Sequence, residues 1–357
     1  MTQTALHRMI MTQADALDRI AGIDLAAPAA ILAAARRVIL VGTGTSQHAA
    51  ELGSMMLERG GLDARWFPAA TWVRWSTGPR RGDALVVITH TGQTGYAARA
   101  RAEALAAGVP VVSITGTGAG WPEAITTVAP EESETYTVSY TAALAVLARL
   151  AHQVAASGEA HRDGAPVDGS PGDVLQAAAE IRVACAAPAT GDVPLPARSL
   201  GIVGCGPWGI TAREGALKVR EAAQMLAEGF DAERFLHGNA VPFTGADGVL
   251  LLQPESDGDG LTAAVGHAAA RERIPVTVLS LPDSGLSPLL AQLPMTVHLQ
   301  IMAERFARLR GQDPDTVITG AWADPDLWRI GMPAAARLGW RRAAPRRAAQ
   351  AGGVSTP

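Results

Sequence analysis

Val38-Ile-Leu-Val-Gly42-Thr-Gly44 is a short apolar run closed by Gly-x-Gly, and Leu200-Gly-Ile-Val-Gly204-Cys-Gly206 repeats it in the second half of the chain. Each is followed by a helix-like stretch, so each reads as a buried strand that feeds a helix through a glycine turn. The echo extends outward. A second pair of runs lies at Leu85-Val-Val-Ile88 and Val249-Leu-Leu-Leu252, and a third at Val109-Pro-Val-Val112 and Ile274-Pro-Val-Thr-Val278. A shorter fourth pair is expected at Thr126-Thr-Val128 and Met295-Thr-Val-His298. Continuous apolar strands separated by Ala-rich helical segments describe parallel sheets covered on both faces. The fold class predicted is therefore α/β, with two doubly wound parallel-sheet domains in tandem. The expected organisation is a helical leader over 1–28, a first sheet domain over 29–156 and a linker with a helix over 157–197. A second sheet domain with a C-terminal segment follows over 198–330, and then a basic tail over 331–357, read as disordered from its Arg, Ala and Gly content.

Composition narrows the class. The chain has 357 residues, 48% hydrophobic and 18% charged, enough for two cores of about 150 residues each. A net charge of -4 is too mild to imply nucleic acid. No segment reaches the roughly 20 uninterrupted apolar residues of a membrane span. Cys185 and Cys205 belong to no CxxC or Cys/His cluster, so neither a disulfide framework nor a metal site is expected, and no cofactor motif is present. The N-terminal residues lack the apolar centre of a signal peptide, and a cytoplasmic location is expected.

In doubly wound sheets ligands bind beyond the carboxyl ends of the strands. Two such loops suit an anion. Gly42-Thr43-Gly44-Thr45-Ser46 places small hydroxyl residues on a turn that opens a helix, where backbone amides and the helix dipole favour a phosphate-like group. Thr89-His90-Thr91-Gly92-Gln93-Thr94 repeats the setting after the next run. Neither is a nucleotide motif: the first lacks the full GxGxxG and the second the Gly-Lys-Ser/Thr of a P-loop. A third feature lies in the second half, where Lys218 is the only lysine in a chain whose other cations are arginine. Glu214, Lys218 and Glu221 are spaced i, i+4 and i+7, so two carboxylates flank one amine on a single helix face. That spacing fits either a surface salt-bridge ladder or a site that needs a compact ammonium.

These residues carry a family resemblance. Gly44-Thr45-Ser46, then Thr89 to Thr94, then Glu134-Thr-Tyr-Thr-Val-Ser139 resemble, in order, the anion loops of SIS-domain proteins. Glu214 to Glu221, Ala227-Glu228-Gly-Phe and Phe235-Leu-His237-Gly238 are similar to the isomerase half of glutamine-fructose-6-phosphate amidotransferase and of related sugar-phosphate isomerases, deaminases and deglycases. The resemblance implies a flavodoxin-like SIS fold in both halves. It also implies that Gly44, Thr45, Ser46, Thr89, His90, Thr91, Gln93 and Thr94 hold the distal anion of a sugar and that Ser139 contacts its other end. Glu221 falls on the base that moves a proton between C1 and C2, and His237 on a ring-opening histidine supplied across a homodimer interface. Lys218, one turn before Glu221, would set the carboxylate's pKa or stabilise an enediolate oxygen.

The expected activity is aldose-ketose isomerisation of an open-chain sugar with a terminal phosphate or sulfonate. The alternatives are a deaminase or deglycase of an amino-sugar or Amadori phosphate, and a non-catalytic sugar-phosphate sensor. No glutaminase domain with a leading cysteine nucleophile is seen, so amide-nitrogen transfer is not expected. Where the amidotransferase carries an imine-forming lysine, Asp313 to Trp328 contains none, and Trp322 and Trp328 are candidates to close over the site instead. His48 reads as a packed or exposed helix residue rather than a catalyst, and Trp66, Trp72 and Trp75 near Arg74 as core or interface packing rather than sugar stacking.

Overall fold

The computed structural model describes residues 3–157, 167–252, 258–281 and 284–333. The start of the expected linker, His161 and the tail from 334 onward lie outside the described residues. The chain forms two parallel sheets. The first contains β1 (Arg37–Gly42), β2 (Ala64–Pro68), β3 (Asp83–Ile88), β4 (Val111–Thr115) and β5 (Ala124–Thr126), in the order β2-β1-β3-β4-β5. The second contains β6 (Ser199–Gly204), β7 (Leu226–Asp231), β8 (Gly248–Leu252) and β9 (Val276–Leu279), in the order β7-β6-β8-β9. Strand order reverses at β1 and again at β6, which puts a crevice at the carboxyl end of each.

The unbroken apolar strands are explained by burial on both faces. Val38 and Leu40 point into a core shared with Ile202 and Leu250 of the second half, while Ile39 and Val41 face a separate cluster with Leu85 and Val87. Val203, Val249 and Leu251 form the outer cluster of the second sheet. Each such side chain contributes roughly 1.5–3 kcal/mol on burial, and the shared core joins the two halves. At its centre the helix after β1, Thr45–Arg59, packs against the helix after β6, Pro207–Ala223. The leader holds helices Ala5–Met11 and Gln13–Ala21, the first with both oxygens of Asp315 on its opening amides at 2.7 Å.

Two expectations need correction. Met295 to His298 is not a strand but part of helix Gln292–Arg310. Its buried positions continue through Leu299, Met302, Ala303 and Phe306 at helical spacing, and the run is too long for a strand. Pro294 sits in the first turn, where its missing N–H costs nothing. Conversely, the edge strands β2 and β7 were not foreseen. Ala64-Arg-Trp-Phe-Pro68 and Leu226-Ala-Glu-Gly-Phe-Asp231 are half exposed and interrupted by charge, so they show no continuous apolar run. Among the described residues no helix is long and apolar enough to cross a membrane.

Candidate active site where the two halves meet

The first crevice is shaped by glycine. A Cβ on Gly42 would lie 2.2 Å from the carbonyl oxygen of Ser46, so the helix Thr45–Arg59 starts directly against the strand end. Gly44 takes φ 59° and ψ -128°, a conformation closed to other residues, and turns the first amides toward the crevice. The second loop follows β3. Thr89 is buried with its hydroxyl 3.1 Å from that of Thr94, while Thr91 Oγ1 accepts the Gln93 N–H at 3.1 Å. No side chain caps the helix Gly95–Ala106 that the loop opens.

His90 turns inward. Its Nε2 accepts the Glu131 N–H at 3.2 Å, its ring meets Tyr136 edge-on, and the absence of a Cβ on Gly116 makes room for it. Burial pushes its pKa below the ordinary value against the opposing pull of Glu131, in keeping with a neutral ring that accepts at Nε2. A cavity of about 10 Å³ lies where the loops converge, lined by Thr45, Ser46, His90, Thr115, Ser139 and Tyr140 among others. Thr115 Oγ1, Tyr140 Oη and His90 Nδ1 have no hydrogen-bond partner among the described residues. The structure thus brings Thr45, Ser46, His90 and Ser139 together around one polar floor. Thr89, Thr91, Gln93 and Thr94 do not line this cavity, and Thr91 and Gln93 are exposed.

Glu131 was not singled out by the sequence. It accepts the Thr137 N–H at 2.8 Å and the Ser139 N–H at 2.9 Å, so it caps the helix Val138–Ser157 and fixes Ser139 by its backbone. The strand end of the second half is furnished differently. Asp231 Oδ2 accepts the Gly206 N–H at 3.3 Å, which puts a carboxylate at the helix terminus where the first half has hydroxyls. The crevice whose helix start carries no such carboxylate is that of the first half.

The second half supplies the charged cluster, and it is no surface ladder: Glu214 and Lys218 are fully buried. Lys218 Nζ lies 2.6 Å from Glu221 Oε2, 3.0 Å from Thr45 Oγ1 and 3.5 Å from Glu214 Oε1. Glu214 Oε1 also accepts the Thr45 hydroxyl at 3.1 Å, and its Oε2 is 2.7 Å from His48 Nδ1. The sequence reading of His48 as a packed or exposed helix residue gives no hint of this contact: its partner is 166 positions away in sequence, and no local spacing signals it. Burial alone would discharge the lysine, but Glu221 and Glu214 outweigh it and hold its pKa above the ordinary value. Burial likewise opposes the charge on Glu214, and Lys218 and His48 more than reverse it. Glu221 differs. The protein crowded about its carboxylate raises its pKa, and Lys218 only partly offsets this, although 23% of the side chain still meets solvent. The cluster therefore pairs a fixed ammonium with a carboxylate whose pKa is raised above the ordinary glutamate value.

His237 lies apart, exposed on the turn Phe235–Asn239 that follows β7 and the short helix Ala232–Arg234. Among the described residues it forms no hydrogen bond or ion pair with this cluster, and exposed Leu236 and Val241 flank it. The C-terminal segment runs past the first half. Ser133 and Thr135 donate to the Pro314 carbonyl, and Glu134 accepts the amides of Val317 and Ile318. Ile330 and Met332 press against Gly95 at the start of the helix after the second anion loop, while Trp322 remains 77% exposed. Trp72 is core, stacked at a tilt on Phe67, whereas Trp75 is at the surface beneath Arg74.

Residues 31–153, the first sheet with its helices, match the family model described as SIS domain. Over 321 residues it is 27% identical to the glutamine–fructose-6-phosphate aminotransferase (isomerizing) of Aeropyrum pernix, covering 80% of this chain and 51% of that one. Its counterpart in Pyrococcus horikoshii is 27% identical over 311 residues, 78% of this chain and 50% of that one. The chain thus spans about half the length of the curated relatives it matches. Among solved structures, glucosamine-6-phosphate deaminase from Thermotoga maritima superposes with a TM-score of 0.71 at 17% identity, covering 88% of this chain and 97% of that one. Tagatose-6-phosphate ketose/aldose isomerase from Escherichia coli gives 0.70 at 17% identity, covering 90% and 97%. At these identities the two structures share the fold.

Proposed function

We propose that the protein is a sugar isomerase whose substrate is an open-chain sugar with a terminal anion, a 6-phosphate or 6-sulfonate. The observation that carries this is the Glu221 carboxylate, raised in pKa and held 2.6 Å from the buried ammonium of Lys218, beside a hydroxyl-lined anion crevice. In this reading Ser46, Thr89, Thr91, Gln93 and Thr94, with the amides after Gly44, hold the terminal anion, His90 walls that pocket, and Ser139 meets the sugar. Glu221 takes the proton from C2 of the aldose, and the electron pair moves to give an enediolate with its charge on O1. Lys218 stabilises that oxygen, O2 loses its proton to O1, and Glu221 returns its proton to C1 to yield the ketose. A positioned general base of this kind supplies about 10² to 10⁴ in rate, and the fixed ammonium adds electrostatic stabilisation.

His237, exposed and flanked by Leu236 and Val241, is assigned to the site of a partner copy in a homodimer, as a proton carrier in ring opening. A cytoplasmic homodimer is part of the same proposal. The test is conversion of aldose to ketose 6-phosphate by the purified protein. Glu221→Gln should lower the rate at least a hundredfold while sugar-phosphate binding persists; conversion that survives the substitution contradicts the assignment.

A further inference from the structure

The proposed proton transfer uses Glu221 and Lys218, yet the cluster continues beyond them to a residue that no step requires. His48, on the first half, faces Glu214, on the second, at 2.7 Å. Glu214 is fully buried, and its two oxygens are divided: Oε1 serves Thr45 and Lys218, and Oε2 serves His48. A fully buried, ionised carboxylate tolerates no idle oxygen, since a charged acceptor left unpartnered away from solvent is costly. Removing the imidazole would leave Oε2 without a partner. Glu214 could then relieve itself by taking a proton, which removes one of the carboxylate charges that hold Lys218, or by rotating, which turns its oxygens away from the ammonium.

We propose that His48 is a positioning residue for the Glu221 base: through Glu214 it keeps Lys218 charged and directed at Glu221, across the junction of the two halves. The other groups about this chain are Glu131 and Tyr136 on the loop before Val138, Tyr140 near Glu214, and the Glu51–Arg213 pair on the same two helices, at 2.6 Å. Glu131 also acts on Lys218, but it is occupied in capping a helix, so it does not replace Glu214. The catalytic half of the assignment rests on the isomerase reading; the electrostatic half does not.

Lys218 is the only lysine, so protein labelled with 13C-lysine gives a single Cε signal whose pH titration reports this ammonium alone. In wild type it should remain charged beyond pH 10.5, the ordinary lysine value. In His48→Leu, or His48→Met should the leucine variant not fold, the midpoint should fall by at least one pH unit. Solvent exchange at C1/C2 of the sugar should slow at least tenfold with KM within twofold, and His48→Gln, which keeps a donor, should recover most of both. A lysine midpoint unchanged in the donor-free variants, or an effect on KM alone, overturns the proposal. If wild type exchanges no sugar phosphate, the isomerase reading fails while the lysine titration still decides the role of His48.

Discussion

Lys218 Nζ donates to Thr45 Oγ1 across 3.0 Å, so the ammonium beside the proposed base is tied to the anion loop of the other half. The same hydroxyl donates onward to Glu214 at 3.1 Å. Thr45→Val keeps the shape and removes both bonds. It should cost about 1–3 kcal/mol of stability, the penalty of a buried polar group left unpaired, and should slow C1/C2 exchange about tenfold. Denaturant unfolding and exchange kinetics on one sample check this.

The anion loop makes a separable prediction. Thr89 and Thr94 share a hydrogen bond at 3.1 Å, and no side chain of the loop caps the helix that follows. Thr94→Val should weaken binding of a sugar 6-phosphate about tenfold, equal to about 1.4 kcal/mol, with little change in melting temperature without ligand. Calorimetric titration with glucose 6-phosphate would read it, and unchanged affinity would remove Thr94 from the anion site.

His298 predicts an acid-side loss of stability. Burial lowers its pKa from 6.5 to about 4, and its Nδ1 accepts the Ala189 N–H at 3.1 Å. The unfolded chain binds that proton first as pH falls. The stabilisation is thus full above pH 6.5 and is lost progressively as pH falls toward about 4, by up to about 3 kcal/mol. His298→Gln, which can accept the same N–H, should flatten this dependence in urea midpoints measured from pH 7 to pH 4.

If His237 acts on the partner copy, two inactive variants should complement each other. Mixing Glu221→Gln with His237→Ala and allowing subunits to exchange should restore about a quarter of wild-type activity, since half the dimers then carry one intact composite site of two. Val241→Glu, at an 83% exposed position beside that turn, should shift sedimentation toward the monomer and abolish the rescue.

The strands buried on both faces were legible because their apolar runs are continuous: β1, β3, β6 and β8 fall on the quoted runs to within about a residue or two. The exposed edge strands β2 and β7 were not, and Met295 to His298 misled because four apolar or β-branched residues look alike in a strand and in a buried helix. Lys218 was visible through its rarity, and its spacing with Glu214 and Glu221 through helical geometry. What the sequence hid was everything set by pairing between halves: the burial of that cluster, the bond from Thr45, and the contact of His48 with Glu214. Glu131 was equally hidden, since its role comes from a loop folding back on a helix start.

The central claim is that Glu221 moves a carbon-bound proton, and proton NMR in D2O tests it most directly. Wild type and Glu221→Gln would be incubated with aldose and ketose 6-phosphates, 6-sulfonates and 2-amino-sugar phosphates. Deuterium should appear at C1 or C2 of at least one compound with wild type and not with the variant. The rate should fall on the acid side with an apparent pKa above 4.5, the ordinary glutamate value, since the base must be ionised and burial raises its pKa. Exchange that persists in Glu221→Gln, or compounds that raise the melting temperature yet never exchange, would contradict the account.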